Sequence, residues 1–543
     1  MNPFLQLTLA AAVSMLVIPL ARRLAPRLGL VDMPDPRKVH TEPIPRVGGW
    51  GITLGTLLSI VLVIRLDPLM QSFLIGCVTL FAFGIWDDAR TVGHWTKFAG
   101  QLLAVSAVVW YGNLWVSRVP FLEGTLPAWI GKPFTVFALI GVINAINHSD
   151  GLDGLAAGES ILSLAALAIL GYMSGGTLLL SLSLATVGGI LGFLRYNSHP
   201  AYVFMGDCGS QVLGFSLGFL VVYLTQTANT AVSAALPLLI VGLPIADILS
   251  VLYQRVRGGM NWFRATRNHV HHRLLQLGFD HYETVVIIYS IQAALVVSGI
   301  LARYYSDATV VLLYAMIIVT VFCALTFAER RGWQVPRDRD GASVLARVVA
   351  GLRASTLVLK GPLLVITAIT PLVMLLSAFW VAGVSPDFAV AAAVLAVLCA
   401  VQLLWPRTAS PTLLRFAIYA TAILPAYLLI SYPGAIPRAL QILIIAVIGV
   451  LAVAVAVYVR FGGDQRFRTT PTDYLIVCGA GALTAFGSVE VNSQRVVEAV
   501  LFAVVLMYAC EVIVASTPGS SSRRLLQLST LGTLLIVTFR GAL

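Results

Sequence analysis

The chain has 543 residues, 58% of them hydrophobic and only 11% charged, with 35 Lys and Arg against 24 Asp and Glu. Ordinary soluble domains carry roughly 25% charged residues, so the balance excludes a soluble globular protein. Apolar runs of about 16–22 residues recur along the whole length, each long enough for a ~30 Å hydrocarbon core. The class they specify is an all-α polytopic membrane protein.

In chain order, the runs predict eleven spans at 4–21, 47–64, 69–86, 98–116, 133–147, 155–173, 177–195, 210–225, 231–252, 284–302 and 307–327. Seven more are predicted at 361–382, 387–405, 412–430, 438–458, 472–487, 497–515 and 525–540, about eighteen in all. The first run has no basic segment before it and no small-residue cleavage site after it, so it reads as a retained span. The six cysteines are scattered, and no spacing suggests a disulfide framework or a zinc site. Between the two sets lies 329–360, an amphipathic stretch with seven basic residues, which reads as a surface linker. The seven later spans carry few charges, Glu511 being the exception, and no legible motif.

Basic residues concentrate on the cytoplasmic side of membrane proteins. The first loop holds Arg22, Arg23, Arg27, Arg37, Lys38 and Arg46, and alternate threading from there puts most of the Lys and Arg on that side. The first loop is therefore expected in the cytoplasm and the N-terminus outside. That threading gathers five polar clusters on one face: DPRKVH (35–40), DDARTVGHWTK (87–97), NAINHSDGLDG (144–154), MGDCGS (205–210) and RNHVHHRLLQLG (267–278).

Each cluster has a plainer explanation in isolation: helix caps, tight turns, or a basic loop beside anionic lipid. Together they bring Asp87, Asp88, Asp150, Asp153 and Asp207 to one membrane depth. A charge near the bilayer centre costs about 2.5–3.5 kcal/mol on insertion scales, so clustered acids there imply a cation or substrate partner. Carboxylates and Asn side chains, without metal-spaced Cys or His, suit Mg²⁺ or Mn²⁺ rather than zinc. Glycines in DGLDG and GDCGS let backbone N–H groups approach an anion, and basic loops add positive charge. The pattern describes a Mg²⁺-dependent, phosphate-handling site, and the absence of a Walker motif argues against a hydrolysed nucleoside triphosphate.

Over residues 1–327 the chain resembles the polyprenyl-phosphate N-acetylhexosamine-1-phosphate transferases, glycosyltransferase 4 type. DxPDPRKVHTEPIPRVGG (Asp32 to Gly49) is similar to that family's first cytoplasmic loop, NAINHSDGLDGL fits NxxNxxDGxDGL, and GDCGSQVLGF fits GDxGSxxLGF. The resemblance implies transfer of a sugar-1-phosphate, GlcNAc-1-phosphate foremost, from a UDP-sugar to undecaprenyl or another polyprenyl phosphate, releasing UMP. Such a step would initiate a cell-envelope glycan at the inner membrane. It implies Asn147 and Asp207 as ligands of Mg²⁺, with Mn²⁺ an alternative. Lys38, Lys97, Asn144, Asp150, Asp153, His269, His271 and His272 would bind substrate. Asp87 and Asp88 would be catalytic, either taking a proton from the lipid phosphate or holding the lysines and the metal.

The HVHH sequence, His269 to His272, is similar to the N-acetylglucosamine branch. The peptidoglycan branch, which transfers phospho-MurNAc-pentapeptide, has three consecutive His and a DDxxK, where Thr91 stands here. A transporter of an anionic substrate is the reading from another class, but it would want charge at the midplane rather than at one face. The expected organisation is a phosphoglycosyltransferase membrane module at 1–328, the linker at 329–360 and a C-terminal multi-span module of unassigned role at 361–543. The bilayer, a UDP-sugar and a polyprenyl phosphate are the expected partners. No nucleic acid is expected, and homodimer formation is left open.

Overall fold

The computed structural model describes residues 3–34, 42–260, 268–335, 356–379, 384–404, 414–415, 417–422, 438–461, 493–516 and 521–542. The chain falls into two compact units, one formed by Met1–Pro336 with Thr470–Leu475, the other by Arg337–Thr469 with Ile476–Leu543. It is a multi-pass membrane protein. Among the described residues, ten helices are long and apolar enough to cross a membrane. The predicted span at 472–487 lies outside the described residues, as does most of that at 412–430.

The first unit runs through α1 (Pro3–Leu28), α2 (Gly48–Val63), α3 (Pro68–Ala89), α4 (His94–Ser106), α5 (Ala128–Ser149), α6 (Leu155–Met173), α7 (Thr177–Asn197) and α8 (Asp207–Tyr223). It continues with α9 (Pro237–Ile240), α10 (Gly242–Arg257), α11 (Val270–Gln276), α12 (His281–Ala302) and α13 (Asp307–Arg330). The span from Asp207 is 94% buried, whereas that of α13 is only 11% buried. α8 is therefore the axis of the unit and α13 a peripheral helix. Without a hydrophobic drive between helices in lipid, small residues allow close approach. A Cβ at Gly84 of α3 would come within 2.3 Å of Cys208 Cα, and one at Gly214 of α8 within 2.6 Å of Ile143 Cα.

Two elements depart from the sequence expectation. The run at 98–116 is α4 followed by a wider π turn at Ala107–Tyr111. The run at 231–252 is not one helix but α9 and α10, broken at Val241. Non-helical backbone at membrane depth must be satisfied by protein. Here Ser163 Oγ and Gln292 Nε2 donate to Ile240 O at 2.7 Å each, and Leu243 N donates to Gln292 Oε1 at 3.4 Å.

Outside the helices a short antiparallel pair, β1 (Val31–Asp32) with β2 (Ile44–Pro45), brings the first loop back to the bundle. Phe204 N donates to Pro45 O at 2.8 Å, and Gly48 N to Phe204 O at 2.9 Å. The residues before α2 thus pair with those before α8.

The second unit packs the helices Thr356–Phe379, Arg438–Phe461, Ser493–Ser516 and Ser521–Ala542 around Met374, Ile418, Leu451, Leu506, Ile513 and Leu526, while Pro386–Leu404 lies against Ser521–Ala542. Glu511, the charge noted in the sequence, forms an ion pair with Arg415 at 3.3 Å beside this core.

Candidate functional site

The end of α3, the start of α4 and the end of α5 converge on the start of α8. Asp87 and Asp88 lie in the last turn of α3, where the helix dipole disfavours negative charge. The N-terminus of α8 compensates. Asp88 accepts the backbone N–H groups of Asp207 (2.9 Å) and Cys208 (3.1 Å), filling two donors that a helix start leaves open. Asp87 accepts Val92 N–H at 2.8 Å and meets Lys97 Nζ at 2.5 Å. The same ammonium lies 2.6 Å from Asp207 Oδ2. Asn147, at the end of α5, donates through Nδ2 to Asp207 Oδ1 (3.1 Å) and Ser210 Oγ (2.7 Å). Gly206 has a φ of +75° and sits so close that a Cβ would come within 2.6 Å of Asp88 Oδ2, so glycine is required there twice over.

This network opens into a cavity of about 820 Å³ walled by Asp88, Asn147, Asp150, Asp153 and Asp207, with Arg22, Arg46, His199, His272 and His281 as its basic groups. Burial, helped by the carboxylates of Asp207, Asp153 and Asp88, pushes the Asp150 carboxyl up to about 7. An arriving cation would favour its ionised form. Asn197 stitches the wall, accepting Gly154 N–H at 2.8 Å and donating to Val203 O at 2.9 Å.

Asp153 Oδ2 lies 2.6 Å from His199 Nδ1 and accepts Ala201 N–H at 3.1 Å, while His281 Nε2 lies 3.2 Å from the Asp153 carbonyl. These three residues are close enough to share a metal ion. However, the two imidazoles stack face to face, 3.9 Å between centroids and 19° between planes. Ring-nitrogen lone pairs lie in the ring plane, so stacked rings cannot both aim at one ion. The trio is a hydrogen-bonded brace.

Several residues expected to bind substrate take other places. Lys38 lies outside the described residues. Asn144 does not reach the cavity wall; its amide bonds Gln101 Oε1 (3.0 Å) and Ile140 O (2.9 Å). Lys97 and Asp87 lie behind the wall and act on it through Asp207. Of the loop histidines, only His272 lines the cavity.

His269 is buried, its Nδ1 2.7 Å from Asp247 Oδ2, and Asp247 Oδ1 also accepts Val270 N–H at 2.8 Å. His271 packs against Gly151, where a Cβ would come within 2.3 Å of its Nε2. Burial and the neighbouring His272 hold His271 down to about 3, so it is neutral and adds no charge for an anion. Asp247 thus tethers α11 to α10. Replacing it with alanine leaves two buried donors unsatisfied and should destabilise the protein by about 2–4 kcal/mol. Asp247→Asn should do less harm, since it keeps one acceptor. Thermal unfolding in detergent measures both, and an unchanged midpoint for the alanine chain would remove the tether.

Asp247, His199 and His281 were not singled out in the sequence. Asp247 stands alone in an apolar run, and His199 and His281 lie 82 positions apart (281 − 199) with no shared motif. The model of the family described as Glycosyl transferase family 4 matches residues 70–225, a range that contains every member of the Asp87–Lys97–Asn147–Asp207 network. The chain is 34% identical over 321 residues to a probable undecaprenyl-phosphate N-acetylglucosaminyl 1-phosphate transferase of Bacillus subtilis, covering 59% of this chain and 89% of that protein. It is 30% identical over 325 residues to the undecaprenyl-phosphate alpha-N-acetylglucosaminyl 1-phosphate transferase of Escherichia coli K12, covering 58% and 88%. A decaprenyl-phosphate N-acetylglucosaminephosphotransferase of Mycobacterium tuberculosis is 33% identical over 344 residues, covering 57% and 85%.

Proposed function

Since the chain belongs to glycosyl transferase family 4, we propose that its cavity transfers GlcNAc-1-phosphate from UDP-GlcNAc to undecaprenyl or another polyprenyl phosphate, releasing UMP. The observation that carries this reading is Lys97 held between Asp87 and Asp207, with Asn147 on the other oxygen of Asp207, directly behind the stretch of cavity wall that Asp207 and Asn147 form. It is a compact, preset charge array beside the end of a membrane bundle, where a lipid phosphate and a water-soluble nucleotide can meet. The predicted threading puts that end in the cytoplasm.

In the reaction an oxygen of the lipid phosphate attacks the sugar-bearing phosphorus. The bond from that phosphorus to the bridging oxygen breaks, and UMP departs with the electron pair. A phosphate monoester has its second pKa near ~6, so the nucleophile is already largely ionised at neutral pH. No side chain has to take its proton, and Asp87 and Asp88 are free to act as positioning groups. Catalysis then rests on orientation and on stabilising the charge that spreads over the transferred phosphoryl oxygens. Asp88 fixes the first turn of α8. Lys97 offsets part of the negative charge of Asp207 and Asp87. His272, Arg22 and Arg46, which also line the cavity, offer donors to phosphate and nucleotide oxygens.

The donor set also fits a hard divalent cation: the Asp207 carboxylate and the Asn147 carbonyl oxygen, whose amide nitrogen is already engaged. Mg²⁺ held there would supply a Lewis acid for the negative charge of the phosphates. We assign 1–328 as the catalytic module, with Glu329 to Val335 still packed against it, and 361–543 as an accessory module beyond the linker.

The test is UMP release by the purified full chain given polyprenyl phosphate, Mg²⁺ and a panel of UDP-sugars. UDP-GlcNAc should be the preferred donor, and EDTA should stop the reaction. Preference for UDP-MurNAc-pentapeptide would transfer the assignment to the peptidoglycan branch. No release with any donor would reject a transferase.

A further inference from the structure

Arg273 follows the loop histidines directly, yet it points away from the cavity, and nothing in the proposed reaction uses it. Its guanidinium is buried against α13 and grips Glu329 with two bonds, Nε to Oε1 at 2.6 Å and Nη2 to Oε2 at 2.8 Å. Nη2 also donates to Thr326 Oγ1 at 3.0 Å, and the guanidinium carbon lies 5.9 Å from the centre of the Phe322 ring. A bidentate, partly desolvated Arg–carboxylate pair fixes orientation as well as distance.

The chain just beyond α13 adds a second grip. Val335 N donates to Leu277 O, the residue ending α11, at 2.9 Å, and Trp333 packs on Phe279 with ring centroids 6.0 Å apart. With Asp247 holding the first turn of α11, the seven-residue helix is pinned at its start, middle and end. A helix of two turns is marginal by itself, so these outside contacts define where it lies. His272 is its one residue on the cavity wall. Small displacements of such a group are costly: about 1 Å can cost roughly 10²-fold in rate.

We propose that Glu329 is a positioning residue of the transferase, which sets His272 against the nucleotide sugar by clamping α11 through Arg273. The inference rests on the reading of the cavity given above. It also makes the last residues of the first unit, which lead directly into the 336–355 segment, part of the support of the site. The Arg–Glu pair is not a generic stabiliser in this account, because its effect must pass through one imidazole.

The experiment uses the full-length protein and compares Glu329→Ala, His272→Ala and the double variant for KM and kcat toward each substrate. Glu329→Ala should raise the KM for the UDP-sugar about tenfold, one tenth of the full misplacement penalty, while leaving the KM for polyprenyl phosphate unchanged. In the His272→Ala background the same change should add little, because the two act on one step. The exchanged pair Arg273→Glu with Glu329→Arg should recover most of the loss. Glu329→Gln, which keeps the shape and one acceptor oxygen, carries the test if the alanine chain does not accumulate. Unaltered kinetics in the Glu329 variants, or effects that multiply fully with that of His272→Ala, would overturn the clamp. Unaltered kinetics in His272→Ala itself would overturn both the clamp and the role given to His272. UMP release by the parent chain is scored separately, so failure of the transferase assignment is seen first and on its own.

Discussion

Asp207→Ala is expected to lower UMP release by at least about 10³-fold while leaving the protein folded. Removing a single preorganised charge-stabilising group typically costs 10²–10³ in rate, and Asp207 holds two groups while also lining the cavity. Its carboxylate sits 2.6 Å from Lys97 Nζ, accepts Asn147 Nδ2 at 3.1 Å and faces the cavity. Without it Lys97 has only Asp87, and Asn147 would be the sole remaining member of the proposed cation site. The fold should survive, because the contact anchoring this end of α8 is made by the backbone N–H of residue 207, not its side chain. Retention on size exclusion and the unfolding midpoint in detergent check the first half of the claim, and the UMP assay checks the second. Full turnover by a well-folded Asp207→Ala chain at ordinary Mg²⁺ would remove Asp207 from the site.

The spans were legible because lipid solvation demands long apolar windows, and such windows survive any rearrangement of their neighbours. The break between α9 and α10 was not. Residues 231–252 form one apolar run, and what stabilises the interruption at Val241 is Ser163 and Gln292, far away in the sequence. In the site, the motifs foretold the meeting of Asn147 with Asp207 and of Asp87 with Lys97. They could not say which member of a polar cluster faces the ligand. Asn144 and Asn147 share a motif, but Asn144 turns to Gln101 and Asn147 to Asp207. His269, His271 and His272 look equivalent as letters, but Asp247 and Gly151 claim the first two. Tethers such as Asp247 and Glu329 are single acids without a pattern, and only the fold reveals what they hold.

Asp88→Ala should be nearly as damaging as Asp207→Ala, for a different reason. Asp88 touches the reaction by shaping the turn on which Asp207 sits: both of its oxygens are committed to backbone N–H groups, of Asp207 and of Cys208. Alanine leaves those two donors without partners in a buried turn, at a cost of about 1–3 kcal/mol each, and removes the carboxylate packed so closely on Gly206 that a Cβ there would come within 2.6 Å of it. UMP release should fall by about 10²-fold or more, as expected when a reacting group shifts by about 1 Å, and the unfolding midpoint should fall with it. Asp88→Asn separates this role from proton transfer. Asparagine can accept one of the two N–H bonds but cannot act as a base near neutral pH, so a positioning Asp88 predicts partial recovery of both stability and rate relative to alanine. If Asp88 were the base, Asn and Ala would be equally inactive, and the asparagine chain would be stable. That result would reinstate Asp88 as the group that takes the proton and would move the positioning of Asp207 onto Lys97 and Asn147 alone.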